Sequence, residues 1–149
     1  MKALATPSFV HRNLPRLLLQ ARESVMLHFR PNLREHGLTD QQWRVLRVLG
    51  EHGAGKERVD TGRIAREAYI LGPSLTGVLN RMERDGLIER ERDPADQRRT
   101  VVWATAKGRK MVDKLAQSIE AHYRRMEDAL GKQKLAELYE LLDRIIALP

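Results

Sequence analysis

The apolar residues Leu14, Leu18, Ala21, Val25, Phe29 and Leu33 recur every three to four positions, which predicts one buried face of a long helix. Pro31 lies inside that pattern and is expected to kink or loosen its last turns, and His36-Gly37 ends it. Thr39-Asp40-Gln41-Gln42 has the form of a capping box, in which the Thr39 hydroxyl accepts from a first-turn amide while Gln42 reaches back. A second helix follows through Trp43, Val45, Leu46, Val48 and Leu49 to about His52-Gly53. Residues 53–58, GAGKER, read as a loop, and their glycines miss the spacing of a phosphate-binding loop. A short helix runs from about Asp60 through Ile64, Ala65 and Ala68, and the chain turns at Tyr69-Ile70-Leu71-Gly72. Pro73-Ser74 opens the next helix, because proline suits a first helical turn. Its inward stripe is Leu75, Val78, Leu79 and Met82, and Asp85-Gly86 stops it. Residues 87–92 and 100–105 have the β-branched content and bounding turns of short strands. Between them lies DPADQRR. Thr105 can cap a long helix carrying Met111, Leu115, Ile119, Tyr123, Met126 and Leu130; after Gly131 a last helix carries Leu135, Leu138, Leu141, Leu142, Ile145 and Ile146.

Helix, tight turn, helix, strand, charged turn, strand is the order of a winged helix-turn-helix, here in a mainly α chain with a small β-hairpin wing and long helices at both ends. The second helix of such a unit stands proud of the surface and fits the major groove of duplex DNA. Its outward residues suit that task. Pro73, Ser74, Thr76 and Gly77 are small or compact enough for close approach, Asn80 and Arg81 can pair with base edges, and Arg84 shares the same face. An arginine at the tip of DPADQRR can enter the adjacent minor groove, where negative potential is focused. Taken singly, each feature is also what an ordinary solvated helix face or an inert charged hairpin tip looks like; their co-occurrence favours DNA.

Charge refines this picture. The formal net charge is +7 and the pI about 10.1, which points to a polyanionic partner. By segment, residues 1–36 carry +4, 37–60 zero, 61–105 +1 and 106–149 +2. The wing neighbourhood is therefore densely charged yet nearly balanced, so an anion-binding face there requires acids turned away and arginines turned outward. The 149 residues fit one domain. The absence of cysteine excludes disulfides, thiolate zinc sites and thiol-based sensing. Histidines 11, 28, 36, 52 and 122 have no metal-ligand spacing, and neither metal nor cofactor is expected. No run approaches the ~20 apolar residues of a membrane span, MKALATPSFVHR lacks the pattern of a signal peptide, and the expected location is cytoplasmic. A nucleophile elbow, paired catalytic carboxylates and a phosphate loop are all missing, which argues against a hydrolase or transferase. A winged-helix module for protein association is a further alternative, distinguished by its failure to shift duplex DNA selectively.

The stretch SLTGVLNRMERDGLIERERDPADQRRTVVWATAKGRK resembles the MarR family of transcriptional regulators, and the likeness extends over nearly the whole chain. The family's wing pattern is present as Asp96-Gln97-Arg98, Ala104-Thr105 and Gly108, with Ala104 where the family has leucine. The resemblance implies that Arg98 is the minor-groove arginine, Asp96 its orienting partner and Arg99 a phosphate contact. LLLQARESVMLHFRPNLREHGLTDQQWRVLRVL and ILGPSLTGVLNRMERDGL look like the subgroup that represses homoprotocatechuate catabolism operons. The implied function is a repressor released by a phenolic carboxylate, bound in a crevice between the dimerisation helices and the DNA-binding lobe; an activator, or a regulator of stress or efflux genes, is the alternative within the family. The first two helices independently offer Arg22, Ser24 and His28, and Trp43, Arg44 and Arg47, as residues able to grip a carboxylate or stack on a ring. Arg22 and Trp43 lead this set, although Trp43 is equally readable as core and any one arginine as a surface ion pair. Leu14, Leu17, Leu18, Leu141, Leu142, Ile145, Ile146 and Leu148 exceed what one lobe can bury. They point to a homodimer, with dimerisation helices at about 10–36 and 106–149, a DNA-binding lobe at about 38–105, and a pseudo-palindromic operator.

Overall fold

A computed structural model describes residues 7–149, so the first six residues of the N-terminal stretch read above lie outside it. Helix α1 (Leu14–Glu35) starts where the Asn13 side chain accepts from the Arg16 amide at 3.0 Å, with Pro15 in the first turn, where its missing N–H costs nothing. It buries Met26, Phe29 and Leu33. The helix runs through Pro31 and continues to Glu35. Pro31 and Leu27, whose carbonyl loses its helical donor, both lie on the exposed side, where water can satisfy that oxygen. The helix ends in a Schellman turn: Gly37 at φ +70° lets its own amide reach the Arg34 carbonyl and the Leu38 amide reach Leu33.

Helix α2 (Asp40–Gly50) opens with both bonds of the capping box, each 3.1 Å long, between Thr39 and Gln42. It is the hub of the core: Val45, Leu46 and Leu49 are fully enclosed, and the helix packs against α1 and most of the long elements downstream, so its placement governs both the helix-turn-helix and the long helices. After a turn at Gly53–Gly55, strand β1 (Val59–Asp60) pairs antiparallel with β3, Val59 opposite Val102. This third strand was not anticipated, since two residues are too few to show a period. Asp60 then caps α3 (Thr61–Ala68), its carboxylate accepting from the Gly62 amide at 2.6 Å. Tyr69 closes α3 in the left-handed region at φ 53°, a conformation that costs a side-chain-bearing residue about 1 kcal/mol or more.

Helix α4 (Gly72–Arg84) buries Leu75, Val78, Leu79 and Met82, the stripe expected from its periodicity. Gly86 ends it as Gly37 ends α1, with the Leu87 amide on the Met82 carbonyl. Strands β2 (Ile88–Asp93) and β3 (Asp96–Ala104) complete a sheet of order β1-β3-β2. Thr105 begins α5 (Ala106–Leu130): its hydroxyl accepts from the Gly108 amide at 3.1 Å and donates to the Gly86 carbonyl. A Cβ at Gly108 would stand 2.2 Å from the Leu87 carbonyl oxygen, so only glycine lets α5 cross so close to the end of α4. Helix α6 (Lys132–Ile146) buries only Leu135.

Candidate nucleic-acid interface and ligand crevice

Burial of the α4 stripe leaves Pro73, Ser74, Thr76, Asn80, Arg81 and Arg84 exposed on the opposite face, with Gly77 partly covered. Arg81 makes no hydrogen bond or ion pair among the described residues, and Arg84 touches only Asp85, at 3.1 Å. Asn80 differs: its side-chain oxygen accepts from the Arg90 guanidinium of β2, which also bridges both Glu83 oxygens at 3.3 Å. Sequence reasoning did not single out Arg90, because nothing in the pattern places it beside α4.

The wing is tighter and more irregular than its sequence indicates. Only Pro94 and Ala95 form the turn, since Asp93 pairs with Asp96, yet the next pair is Arg92 with Thr100. One step on β2 thus corresponds to four on β3, and Gln97, Arg98 and Arg99 bulge. The Arg92 guanidinium donates to the Gln97 carbonyl at 2.7 Å and secures the bulge from below. The Arg98 side chain is 92% exposed and rests on Asp96, whose carboxylate accepts from the Arg98 amide at 3.1 Å and from its Nε at 3.2 Å. These bonds, side chain first and backbone second, hold the Asp96 carboxyl below its ordinary range. Arg99, half exposed, is bound to Asp60 at 2.9 and 3.0 Å, which ties the wing base to the start of α3. Arg58 lies 4.3 Å over the Trp103 ring and pairs with Glu91 at 2.9 Å. Most of the balancing acids of this segment, Glu67, Glu83, Asp85, Glu91 and Asp96, are paired locally, and Arg98 projects as the most exposed ion-paired cation of the wing.

A crevice of about 530 Å³ separates α1 and α5 from α2 and the end of α3. Arg22, Met26, Phe29, Trp43, Arg44, Arg47, Tyr69 and Tyr123 are on its wall. Of the six ligand candidates, four are therefore brought together. Ser24 and His28 are not: both are exposed on another face of α1, and His28 packs toward His122 with ring centres 6.0 Å apart. The arginines differ in availability. Arg22 is held by Asp40 at 2.8 Å. Arg44 donates to the Ala68 and Tyr69 carbonyls at 2.8 and 3.0 Å, capping α3, while its buried Nε has no partner and lies 3.7 Å from Asp40. One Arg44 nitrogen, Nη1, is thus committed to the backbone. Arg47 has no hydrogen bond or ion pair among the described residues. Trp43 is 8% exposed, so it is at once core and crevice wall. Tyr123, read in the sequence only as part of a helical stripe, presents its ring here; burial, then the nearby Tyr139, raises the hydroxyl's pKa and keeps it a neutral donor.

Beside the crevice, and sharing Arg22, Met26, Phe29 and Tyr123 with it, runs an apolar groove of about 400 Å³ between α1, α5 and α6. Leu14, Leu17, Leu18 and Leu19 at one end of the chain, and Leu138, Tyr139, Leu141, Ile145, Ile146 and Leu148 at the other, are exposed. A monomer rarely leaves so continuous an apolar surface in water.

Comparison with known proteins places this geometry. A family model described as MarR family matches residues 36–99. The homoprotocatechuate degradative operon repressor of Escherichia coli is 42% identical over 139 residues, 93% of this chain and 91% of that one. The crystal structure of transcriptional regulator PA4135 is 43% identical and superposes with a TM-score of 0.87, covering 93% of this chain and 99% of that one. The structure of NadR in complex with 4-hydroxyphenylacetate is 38% identical with a TM-score of 0.84, over 98% and 100% of the two chains.

Proposed function

The chain belongs to the MarR family, and from that premise we propose that it is a homodimeric, sequence-specific DNA-binding repressor of an operon for aromatic-acid catabolism of the homoprotocatechuate type, released when a phenolic carboxylate binds. The observation that carries this reading is the pairing of an exposed α4 face and a projecting Arg98 with a crevice that holds an uncommitted Arg47 beside Trp43 and Tyr123. The relative that is 42% identical is named for repression of such an operon, and the NadR structure holds 4-hydroxyphenylacetate. The protein works in the cytoplasm, where its operator lies, and no described helix is long and apolar enough to cross a membrane.

In this reading the whole chain is one domain. Residues 38–105 form the DNA-binding lobe, and the segments 10–36 and 106–149 pack against a second copy, covering the exposed leucines and isoleucines at both chain ends. Two α4 helices then enter successive major grooves of a pseudo-palindrome about 10 bp apart. Pro73, Ser74, Thr76 and Gly77 permit close approach, Asn80 and Arg81 meet base edges, Arg84 meets phosphate, and Arg98, steadied by Asp96, enters the minor groove. Arg99 contributes chiefly by anchoring the wing on Asp60.

In the crevice Arg47 grips the ligand carboxylate, Trp43 stacks on its ring and the neutral Tyr123 hydroxyl donates a hydrogen bond. Arg22 becomes available when the ligand carboxylate competes with Asp40 for its guanidinium. Asp40 also faces Arg44, and Arg44 holds the Ala68 and Tyr69 carbonyls at the turn before α4. A ligand that rearranges Asp40 therefore acts on the turn that aims the recognition helix. It shifts the equilibrium only as far as it prefers the released form, and a tenfold preference is worth about 1.4 kcal/mol. Gel shifts on DNA upstream of neighbouring genes, repeated with a panel of phenolic acids, test both parts. A selective shift abolished by one of the acids is expected; no selective shift defeats the DNA reading, and indifference to every acid defeats the induction reading.

A further inference from the structure

The peptide group that carries Arg98 is held from both sides. Arg92 is the last residue of β2 in regular register with β3, opposite Thr100, and beyond it Gln97, Arg98 and Arg99 have no partner on β2. A bulge leaves backbone groups without ladder bonds, and side chains can supply the missing partners. Here they do. The carbonyl of the peptide joining Gln97 to Arg98 accepts from the Arg92 guanidinium at 2.7 Å, and its N–H donates to the Asp96 carboxylate at 3.1 Å. In a trans peptide those two groups point in opposite directions. Rotating the plane therefore breaks two bonds, one from a charged donor and one to a charged acceptor, which are the strong kind. The same plane sets the direction in which the Arg98 side chain leaves the backbone, and Asp96 then holds its Nε at 3.2 Å. Arg92 has no other hydrogen bond or ion pair among the described residues, so the Gln97 carbonyl is its one polar partner there.

Resting on the proposed role of Arg98 in the minor groove, we propose that Arg92 is a positioning residue for that reading. It fixes the tip peptide in the free protein, so that Arg98 enters the groove already aimed. A group ordered beforehand loses less conformational freedom on binding. Arg92 needs no contact with a base for this and acts through Arg98.

The experiment is a double-mutant cycle by fluorescence anisotropy. It uses full-length wild type, Arg92→Met, Arg98→Ala and the double variant on the duplex that the wild type enriches most from a randomised library. Arg92→Met is expected to weaken binding of the wild type about fivefold or more beyond its effect in the Arg98→Ala background. The charge of Arg92 attracts the duplex whether or not Arg98 is present, so its loss cancels in the comparison. A second cycle pairs Arg92→Met with Arg84→Ala, and these two are expected to act independently. Arg92→Thr, which suits an exposed strand, is expected to reproduce the coupling to Arg98 and carries the test if the methionine variant loses its wild-type circular dichroism. An equal effect in both backgrounds, or a coupling just as large with Arg84→Ala, overturns the proposal while the wing assignment stands. Wild-type affinity in Arg98→Ala overturns the minor-groove role of Arg98 and the proposal with it. A wild type that enriches no sequence overturns the DNA-binding reading as a whole.

Discussion

Replacing Gly108 by alanine sets two effects of opposite sign against each other. Helix propensity alone favours alanine by about 1 kcal/mol. The added Cβ, however, would lie 2.2 Å from the Leu87 carbonyl oxygen, whereas carbon and carbonyl oxygen approach comfortably only at ~3.3 Å or more. One partner must retreat by roughly 1 Å. That carbonyl already accepts from the Thr105 amide at 3.1 Å, and Leu87 is buried. Overpacking costs about 1–3 kcal/mol, and a buried carbonyl that loses its donor about 1–3 kcal/mol more. After the propensity gain the net loss is roughly 1–5 kcal/mol. Urea denaturation at matched protein concentration is expected to show a midpoint lower by about 0.5–2.5 M with little change in slope, taking a typical slope of ~2 kcal/mol/M. An unchanged or raised midpoint would refute the steric reasoning. Because the same contact sets the crossing of α5 over the end of α4, operator affinity is expected to fall as well.

For the remaining predictions, Arg98→Ala is expected to weaken operator binding by about 1–3 kcal/mol with unchanged circular dichroism, and Asp96→Ala to weaken it less, by freeing the arginine; fluorescence anisotropy measures both. Arg47→Ala is expected to raise the phenolic acid concentration needed for release at least tenfold while ligand-free operator affinity holds, whereas Ser24→Ala leaves both unchanged; titration of the gel shift separates them. Thr39→Ala removes one bond of the capping box and is expected to cost ~1 kcal/mol of stability by thermal or chemical unfolding. Operator affinity is expected to fall linearly on a log-log plot against salt, with a shallower slope in Arg84→Ala if that side chain contacts phosphate.

What the sequence discloses and what it conceals divide along physical lines. The capping box at Thr39, the α4 stripe and the cap at Thr105 are local, set by residues three or four apart, and each was readable before any coordinates. The ion pair of Asp96 with Arg98, two residues apart on the wing, is equally local, but it was the family resemblance that pointed to it. The pairing of β1 with β3, the bond from Arg99 to Asp60 and the latch of Arg90 on Asn80 span 10 to 43 positions along the chain, and no period or motif announces them. The crevice shows the mixture. Trp43 and Arg47 were legible as chemistry on one helix, but only the fold adds Tyr123 from α5, turns Ser24 and His28 away, and commits Arg44 to backbone carbonyls. Pro31 shows another limit: the helix continues past it to Glu35, and exposure lets water satisfy the carbonyl left without its donor.

The bulge at Gln97, Arg98 and Arg99 also has a bearing on how such a protein changes over time. Those three residues face no partners on β2, while Thr100 through Ala104 stay in register with β2, and Val101 and Val102 with β1 as well. Insertion or deletion at the tip therefore alters the length of the probe without displacing the sheet, the core beneath it or the start of α5. Reach becomes a trait that can drift independently of stability, so descendants of one scaffold are free to fit grooves of different width, and a designer can exchange the tip as a cassette.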